Sequence, residues 1–274
     1  MEYEIKRFQG DQSTLEKITE LQNIVYKGKH LYDTNEFKYW YLDNPMGHAI
    51  CFNAFFNDEV VSHYACIPMR MKIAGRVVLG LLSMNVVTHP EHRKKGLFKK
   101  LATLTYEAAK EEGYEFVLGV ANANSIHGFM KYFPFTFISK LDVKIGVGTN
   151  IHPDGEKVFS TYWDDDAIKW RCSYGQYYKK ANSVLGKFKP FVHTFLGHYS
   201  DEFIDRLPLQ KRGMGLHLNL YVGLGAKINS PYITVPKFIK HSPFNLRFMD
   251  LTGGKLPQVN KDNIFFQLID FDVA

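Results

Sequence analysis

Met84-Asn85-Val86-Val87-Thr88-His89-Pro90-Glu91-His92-Arg93-Lys94-Lys95-Gly96-Leu97-Phe98 is the stretch on which the fold turns. Apolar residues end a strand, a proline-bearing turn follows, and a basic loop with one glycine opens a helix. Leu97, Leu101, Leu104 and Ala108 fall at helical spacing, flanked by Phe98, Ala102, Thr105 and Ala109. This predicts a wide apolar helix face that Gly113 stops. The first turn of such a helix carries unpaired N–H groups and the positive end of the macrodipole, which makes it an anion site. Gly96 lets an anion approach the backbone, and Arg93, Lys94 and Lys95 add charge; a pyrophosphate fits. The same features also describe an ordinary strand-to-helix turn with solvated lysines.

Working outward, the chain opens on an alternating strand, Met1 to Phe8, without the long apolar core of a signal peptide. Ser13-x-x-Glu16 has the form of a capping box, and Leu15, Ile18, Gln22 and Val25 follow at helical spacing as far as Tyr26. Thr34 to Asp43 reads as a second helix with Phe37, Trp40 and Tyr41 as core or cleft wall. Ala49 to Phe56, Val60 to Met71 and Val77 to Thr88 read as an antiparallel meander turning at Asn57-Asp58 and Ala74-Gly75-Arg76. Beyond the central helix come a buried strand, Phe116 to Val120, a helix, Ser125 to Phe133, and one or two strands from Thr136 to Val147. The order is β-α-α-β-β-β-α-β-α-β.

Gly146 to Gly155 is the best linker, which puts a boundary near residue 150. After it, Asp164 to Tyr178 opens as a helix, while Ser183 to His198, Gly215 to Gly223 and Phe265 to Phe271 read as strands. Leu216, Leu218, Leu220 and Val222 alternate with His217, Asn219 and Tyr221, which gives the Gly215 to Gly223 strand one buried face.

With 274 residues, 45% hydrophobic and 23% charged, the chain has a real core and is not disordered. A formal charge of +6 spread along the chain favours anionic ligands but does not indicate nucleic acid. Cys51, Cys66 and Cys172 show no metal-ligand or disulfide spacing, and read as reduced and buried in a cytoplasmic protein. No run reaches the roughly 18 apolar residues of a membrane span.

The quoted stretch resembles the acetyl-CoA motif of the GNAT superfamily, Arg/Gln-x-x-Gly-x-Gly/Ala. Arg93 and Gly96 match, and Phe98 stands where the family usually has Gly or Ala, although an aromatic also occurs there. The order of elements matches the GNAT fold from residue 1 to about 147. The resemblance implies a mixed α/β (α+β) GNAT domain over residues 1–148 and an accessory, incomplete GNAT-like unit over 149–274. The accessory half is similar to that of bacterial members associated with surface-polysaccharide or amino-sugar genes. It further implies that the amides of Lys94, Lys95, Gly96, Leu97 and Phe98 hold the pyrophosphate of acetyl-CoA. The strand at Asn85, Val86 and Val87 would take the pantetheine arm, and an amide near Asn85 or Val86 would polarise the acetyl carbonyl. Asn122 falls in register with the family's later Asn-x-x-Ala-x-x-Leu-Tyr pattern.

In that pattern Phe129 holds the position of the tyrosine that often protonates the leaving thiolate. Tyr132 is the substitute acid, and His127 leads the candidates for the base that must take a proton from the amine, ahead of His89, Glu91 and His92. His89 belongs to the turn, and Glu91 and His92 are expected to face solvent. The acids Asp164, Asp165 and Asp166 read as a helix N-terminus, not a metal site. The implied function is N-acetyl transfer from acetyl-CoA to a primary amine of a small molecule, an amino sugar or nucleotide sugar for example. Two alternatives stand beside it: a degenerate, non-catalytic acyl-CoA binder, and a tRNA-dependent aminoacyltransferase of the paired-GNAT type, for which a basic surface is expected.

Overall fold

A computed structural model of the chain describes residues 2–27, 31–189, 192–211, 218–236 and 242–271. The architecture is mixed α/β. The chain divides into two compact units, the first formed by Met1–Met69, Leu79–Leu118 and Asp250–Lys255, the second by Arg70–Val78, Gly119–Met249 and Leu256–Ala274. Residue 148, where the sequence suggests a boundary, lies within the second unit.

The first unit is built on the meander. Strand β1 (Glu4–Arg7) pairs antiparallel with β2 (Ile50–Phe56), setting Ile5 opposite Ala54. Strand β2 pairs antiparallel with β3 (Glu59–Ile73), and β4 (Arg76–Thr88) and β5 (Phe116–Ala121) continue the sheet. At the β2–β3 turn Asn57 and Asp58 have φ of 49° and 65°, the left-handed pair that a tight hairpin needs. The Glu115 amide bonds the Leu79 carbonyl, so the start of β5 meets the start of β4 and the two run parallel.

Helix α1 (Gln12–Val25) is capped by Asp11, whose carboxylate accepts from the Thr14 amide, so Ser13 is not the cap that the Ser-x-x-Glu spacing suggests. An Asp one turn ahead of the first apolar residue competes successfully with Ser13 for the same orphan amides. Asp33 likewise caps α2 (Thr34–Tyr41), and Phe37, Trp40 and Tyr41 are all core. Helix α3 (Leu97–Glu111) ends before Gly113 as its spacing predicts and buries Leu97, Leu101, Ala102 and Ala109. Each large apolar side chain so buried contributes about 1.5–3 kcal/mol.

In the second unit, helix α4 (Ile126–Tyr132) leads into strands β6 (Thr136–Lys140) and β7 (Asp142–Gly146). The supposed linker contains β8 (Ile151–Pro153), and β9 (Phe159–Thr161) follows. Asp164 caps α5 (Asp165–Arg171) by accepting from the Ala167 amide, and it pairs with Arg70, as the capping reading requires. Arg171 is buried and donates to the carbonyls of Ile269 and Phe271, which clasps the closing residues to α5.

Strands β10 (Tyr177–Lys180), β11 (Ser183–Lys189) and β12 (Val192–His198) form an antiparallel run. Helix α6 (Asp201–Arg206), β13 (Gln210–Lys211) and β14 (Leu218–Leu224) follow, and β14 runs parallel to β12. The β12–α6–β14 crossover thus repeats the strand–helix–parallel strand form of β4–α3–β5. Strand β14 also pairs antiparallel with β7. Two further strands, β15 (Ala226–Ile228) and β16 (Tyr232–Thr234), pair with β8 and β7. The unit closes with β17 (Asn245–Asp250) and β18 (Ile264–Gln267), after which residues 268–270 form a turn of 3₁₀ helix where the sequence suggests continued strand.

The face of β14 that carries Asn219 and Tyr221 is buried, and the opposite face is exposed at Leu218 but buried at Val222 and Leu224. Leu218 is 43% exposed, whereas Asn219 and Tyr221 are each 1% exposed. Asn219 satisfies its amide on the Gly148 carbonyl at 2.8 Å, and Tyr221 packs with Ile151, Leu185 and Phe195. A partnered Asn and a large aromatic ring thus bury a second face where the Leu alternation suggests one. Positions 215–217 of that expected strand lie outside the described residues.

Candidate active site

The basic loop is tightly built. The His89 amide bonds the Val61 carbonyl at 2.8 Å, and Pro90–His92 form a turn of 3₁₀ helix. Arg93 folds back so that Nε donates to the Thr88 carbonyl at 3.2 Å, closing the loop with its guanidinium at the surface. Lys94 has φ of +61° and Gly96 φ of +76°. Two left-handed residues in three turn successive backbone N–H groups toward a common concavity, an arrangement that receives anions. The left-handed Lys94 is not legible in the sequence, since a side chain there costs about 1–2 kcal/mol in the absence of a reason to hold it.

Gly96 is the N-cap residue of α3 and offers no side chain to the first-turn amides. A Cβ at Gly96 would meet nothing within 4 Å. An uncapped N-terminus on a 15-residue helix, fronted by exposed Arg93, Lys94 and Lys95, suits a phosphate. Leu97 is buried, and Phe98 turns its ring edge to Tyr64 at 6.3 Å. That contact explains the aromatic at this position. The Tyr64 hydroxyl also bonds Ser83 Oγ at 2.7 Å and the Tyr106 hydroxyl at 2.6 Å, and so ties α3 to β3 and β4.

On the neighbouring strand a second set of contacts fixes Asn85. Its Nδ2 donates to the Tyr41 hydroxyl at 2.8 Å, Tyr41 bonds His63 Nε2 at 2.9 Å, and His63 Nδ1 bonds Asn53 Oδ1 at 2.7 Å. His63 and Tyr64 are successive residues of β3, so they point to opposite faces. Ser83 touches the Tyr64 side and Asn85 the His63 side, although residues two apart in a regular strand share a face. Ser62, on the Tyr64 side, bonds Thr88 at 2.8 Å, which keeps the later part of β4 in step with Asn85. The alternation of β4 therefore slips by one residue between Ser83 and Asn85, as at a β-bulge, which leaves one residue without a ladder partner. Val86 is half-buried and Val87 buried on this segment.

Burial holds the His63 pKa down at about 3, so the ring is neutral. A neutral imidazole has one N–H and one acceptor. With Asn53 Oδ1 accepting from Nδ1, Nε2 accepts from Tyr41, and Tyr41 accepts from Asn85. Sequence reasoning missed His63 and Asn53. The available signal is a lone Asn in the apolar strand Ile50–Phe56 and a Ser-His pair in the apolar stretch Val60–Ile67.

The remaining expected residues belong to the second unit. Asn122 Oδ1 accepts from the Asn124 and Ser125 amides at 2.9 Å each, so it shapes the turn into α4. His127 is exposed. Tyr132 is 43% exposed, with Lys131 Nζ 5.5 Å above its ring. Phe129 is buried, stacked against the guanidinium of Arg247 at 3.5 Å, and Arg247 also lies 4.2 Å from Phe135. The position where relatives carry the acid is therefore packed as core.

His92 does not face solvent. It is buried against Phe56, and its Nδ1 bonds the Tyr3 hydroxyl at 3.0 Å, because its ring fills the end of the β1–β2 pair. His89, Glu91 and His92 bring one ligand atom each within 4.8 Å of one another. His89 Nδ1 accepts from the Glu91 amide at 3.3 Å. All three cysteines are free thiols in buried positions, as their spacing suggests.

Residues 5–133 match the family model described as the acetyltransferase (GNAT) domain. No curated protein matches the sequence. The fold is similar to that of an Enterococcus faecalis V583 protein described as a probable N-acyltransferase. The two are 8% identical over 92% of this chain and 73% of that one, with a TM-score of 0.59. Eis1 from Mycobacterium abscessus is 11% identical over 91% of this chain and 74% of its own, with a TM-score of 0.56. A GCN5-related N-acetyltransferase from Kribbella flavida is 10% identical over 91% and 73%, also at 0.56. At these identities the likeness is one of fold.

Proposed function

We propose that this chain, whose residues 5–133 form a GNAT acetyltransferase domain, moves the acetyl group of acetyl-CoA to a primary amine of a small molecule. The observation that carries the reading is the uncapped start of α3 behind a loop with two left-handed residues and three exposed cations. In this account the amides of Lys94 to Phe98 receive the pyrophosphate, with Arg93 as its side-chain partner. The backbone of Asn85 to Val87 takes the pantetheine arm. A backbone N–H left outside the ladder at the β4 slip polarises the thioester carbonyl.

The amine nitrogen attacks the thioester carbon, the C–S bond breaks, and the amine proton passes to His127 or an ordered water. The CoA thiolate is protonated by water or by Tyr132; Phe129 has no proton to give. We read the acceptor as an amino sugar or nucleotide sugar, residues 149–274 as the accessory half, and the buried free thiols as suited to a reducing cytoplasm. The test is CoA-thiol release from acetyl-CoA with glucosamine, spermidine and tyramine as acceptors. Acceptor-dependent release supports transfer. Saturable acetyl-CoA binding with no release for any amine favours the non-catalytic binder, the reading that the buried Phe129 supports.

A further inference from the structure

Asn53, His63 and Tyr41 are fully buried polar side chains joined in one line of hydrogen bonds at 2.7 and 2.9 Å. Apolar residues of the same shape would hold these positions with no loss of stability, since buried hydrogen bonds add little net free energy while orphaned ones cost much. From Tyr41 the line reaches Asn85 at 2.8 Å, half-buried on β4. Its direction is set at the buried end. His63 gives its one proton to Asn53 Oδ1, Tyr41 must therefore donate to His63 Nε2, and the Tyr41 oxygen is left to accept. With Nδ2 committed to Tyr41, the hydrogen-bonding atom that Asn85 has left is Oδ1, and no group among the described residues donates to it.

We propose that Asn53, His63 and Tyr41 are positioning residues that hold the Asn85 carboxamide with its oxygen outward, as the acceptor for an N–H of the amine substrate. The inference rests on the acetyl-transfer reading, because Asn85 adjoins the backbone assigned there to the thioester. A neutral carboxamide oxygen suits this place. It orients an amine without the charge that would keep it protonated, whereas a carboxylate would bind the ammonium tightly and hold its proton.

The experiment has two arms. In the free protein, ring ¹⁵N spectra of His63 report the tautomer without any substrate, and the expected form is Nδ1–H at pH 7. An Nε2–H tautomer overturns the proposal, since the line would then run the other way and turn the Asn85 NH₂ outward. In the second arm, glucosamine, spermidine and tyramine serve as acceptors in the thiol-release assay. Tyr41→Phe, which removes only the hydroxyl, is expected to raise the amine KM about tenfold. It should leave acetyl-CoA affinity within about twofold, while urea stability falls by about 1–3 kcal/mol because buried His63 Nε2 loses its donor. Asn85→Asp is expected to lower the amine KM and move the acid limb of kcat upward by about one pH unit. Unchanged amine KM in Tyr41→Phe, or an unmoved pH profile in Asn85→Asp, overturns it. If wild type releases thiol with none of the three amines, the acetyl-transfer reading fails, and the tautomer alone decides whether the carboxamide oxygen is held outward.

Discussion

Gly96→Ala separates what the loop does for the fold from what it does for a ligand. Gly96 has φ of +76° and ψ of 3°, so an L-residue there costs about 1–2 kcal/mol of stability from backbone strain. No steric term adds to this, because the new Cβ meets no protein atom within 4 Å. That open space is where the pyrophosphate is placed, and a methyl over the first-turn amides should cost the ligand one or more of its N–H contacts. Charge-assisted hydrogen bonds contribute about 1.5–3 kcal/mol each, which corresponds to a loss of CoA affinity of about 10- to 100-fold. Gly113, at the other end of α3, has φ of +82° and equally open surroundings, and is the internal control. Urea denaturation should show similar destabilisation in Gly96→Ala and Gly113→Ala, while calorimetry with CoA should show the affinity loss in Gly96→Ala only. Parallel affinities in the two variants would refute the assignment of the loop to phosphate.

Arg93→Ala should weaken CoA more than pantetheine, which lacks the pyrophosphate; equal losses measured by calorimetry would reduce Arg93 to a closer of the loop through Thr88. Phe129→Tyr should destabilise by about 1–3 kcal/mol, because the hydroxyl enters packed core beside Arg247, and should not raise thiol release; raised turnover would place that ring at the reacting atoms. His63 has a folded pKa near 3, below the ordinary 6.5, so the unfolded chain takes up a proton first and stability falls as pH drops from about 6.5 toward 3. Burial raises Asp270 to about 6 from 3.8, so its native form holds a proton first and stability rises as pH drops from about 6 to 3.8. The two oppose each other between pH 6 and 4. Asp270→Asn should expose a decline of about 1.4 kcal/mol per pH unit in urea titrations over that window, and a flat profile would show that His63 is not buried neutral.

Periodicity made the helices legible because each buries one face, and the meander was legible because its turns carry Asn57-Asp58 and Ala74-Gly75. The proposed anion loop rests on Gly96 and its cations, since such chemistry depends on backbone and charge more than on a particular partner. Tertiary contacts decided the rest. The slip in β4 follows from Tyr64 taking Ser83 on one face and Tyr41 taking Asn85 on the other, and no local pattern in Ser83-Met84-Asn85 announces it. Asn53 looks like one polar residue in an apolar strand and His63 like half of a Ser-His pair in another, and the line they form needs α2 brought against β3. In β14 the partner of Asn219, Gly148, lies 71 residues away, so alternation alone did not show that the Asn219 face is buried too.

The central claim is that acetyl-CoA sits with its phosphates on the amides that open α3 and its thioester arm on β4. Titration of the ¹⁵N-labelled chain with acetyl-CoA tests it directly. The account predicts saturable shifts of the Lys94 to Phe98 amides together with Asn85, Val86 and Val87, with the phosphate-loop shifts reproduced by CoA alone. Saturable binding whose shifts leave both segments unmoved, or no binding at millimolar acetyl-CoA, would contradict it.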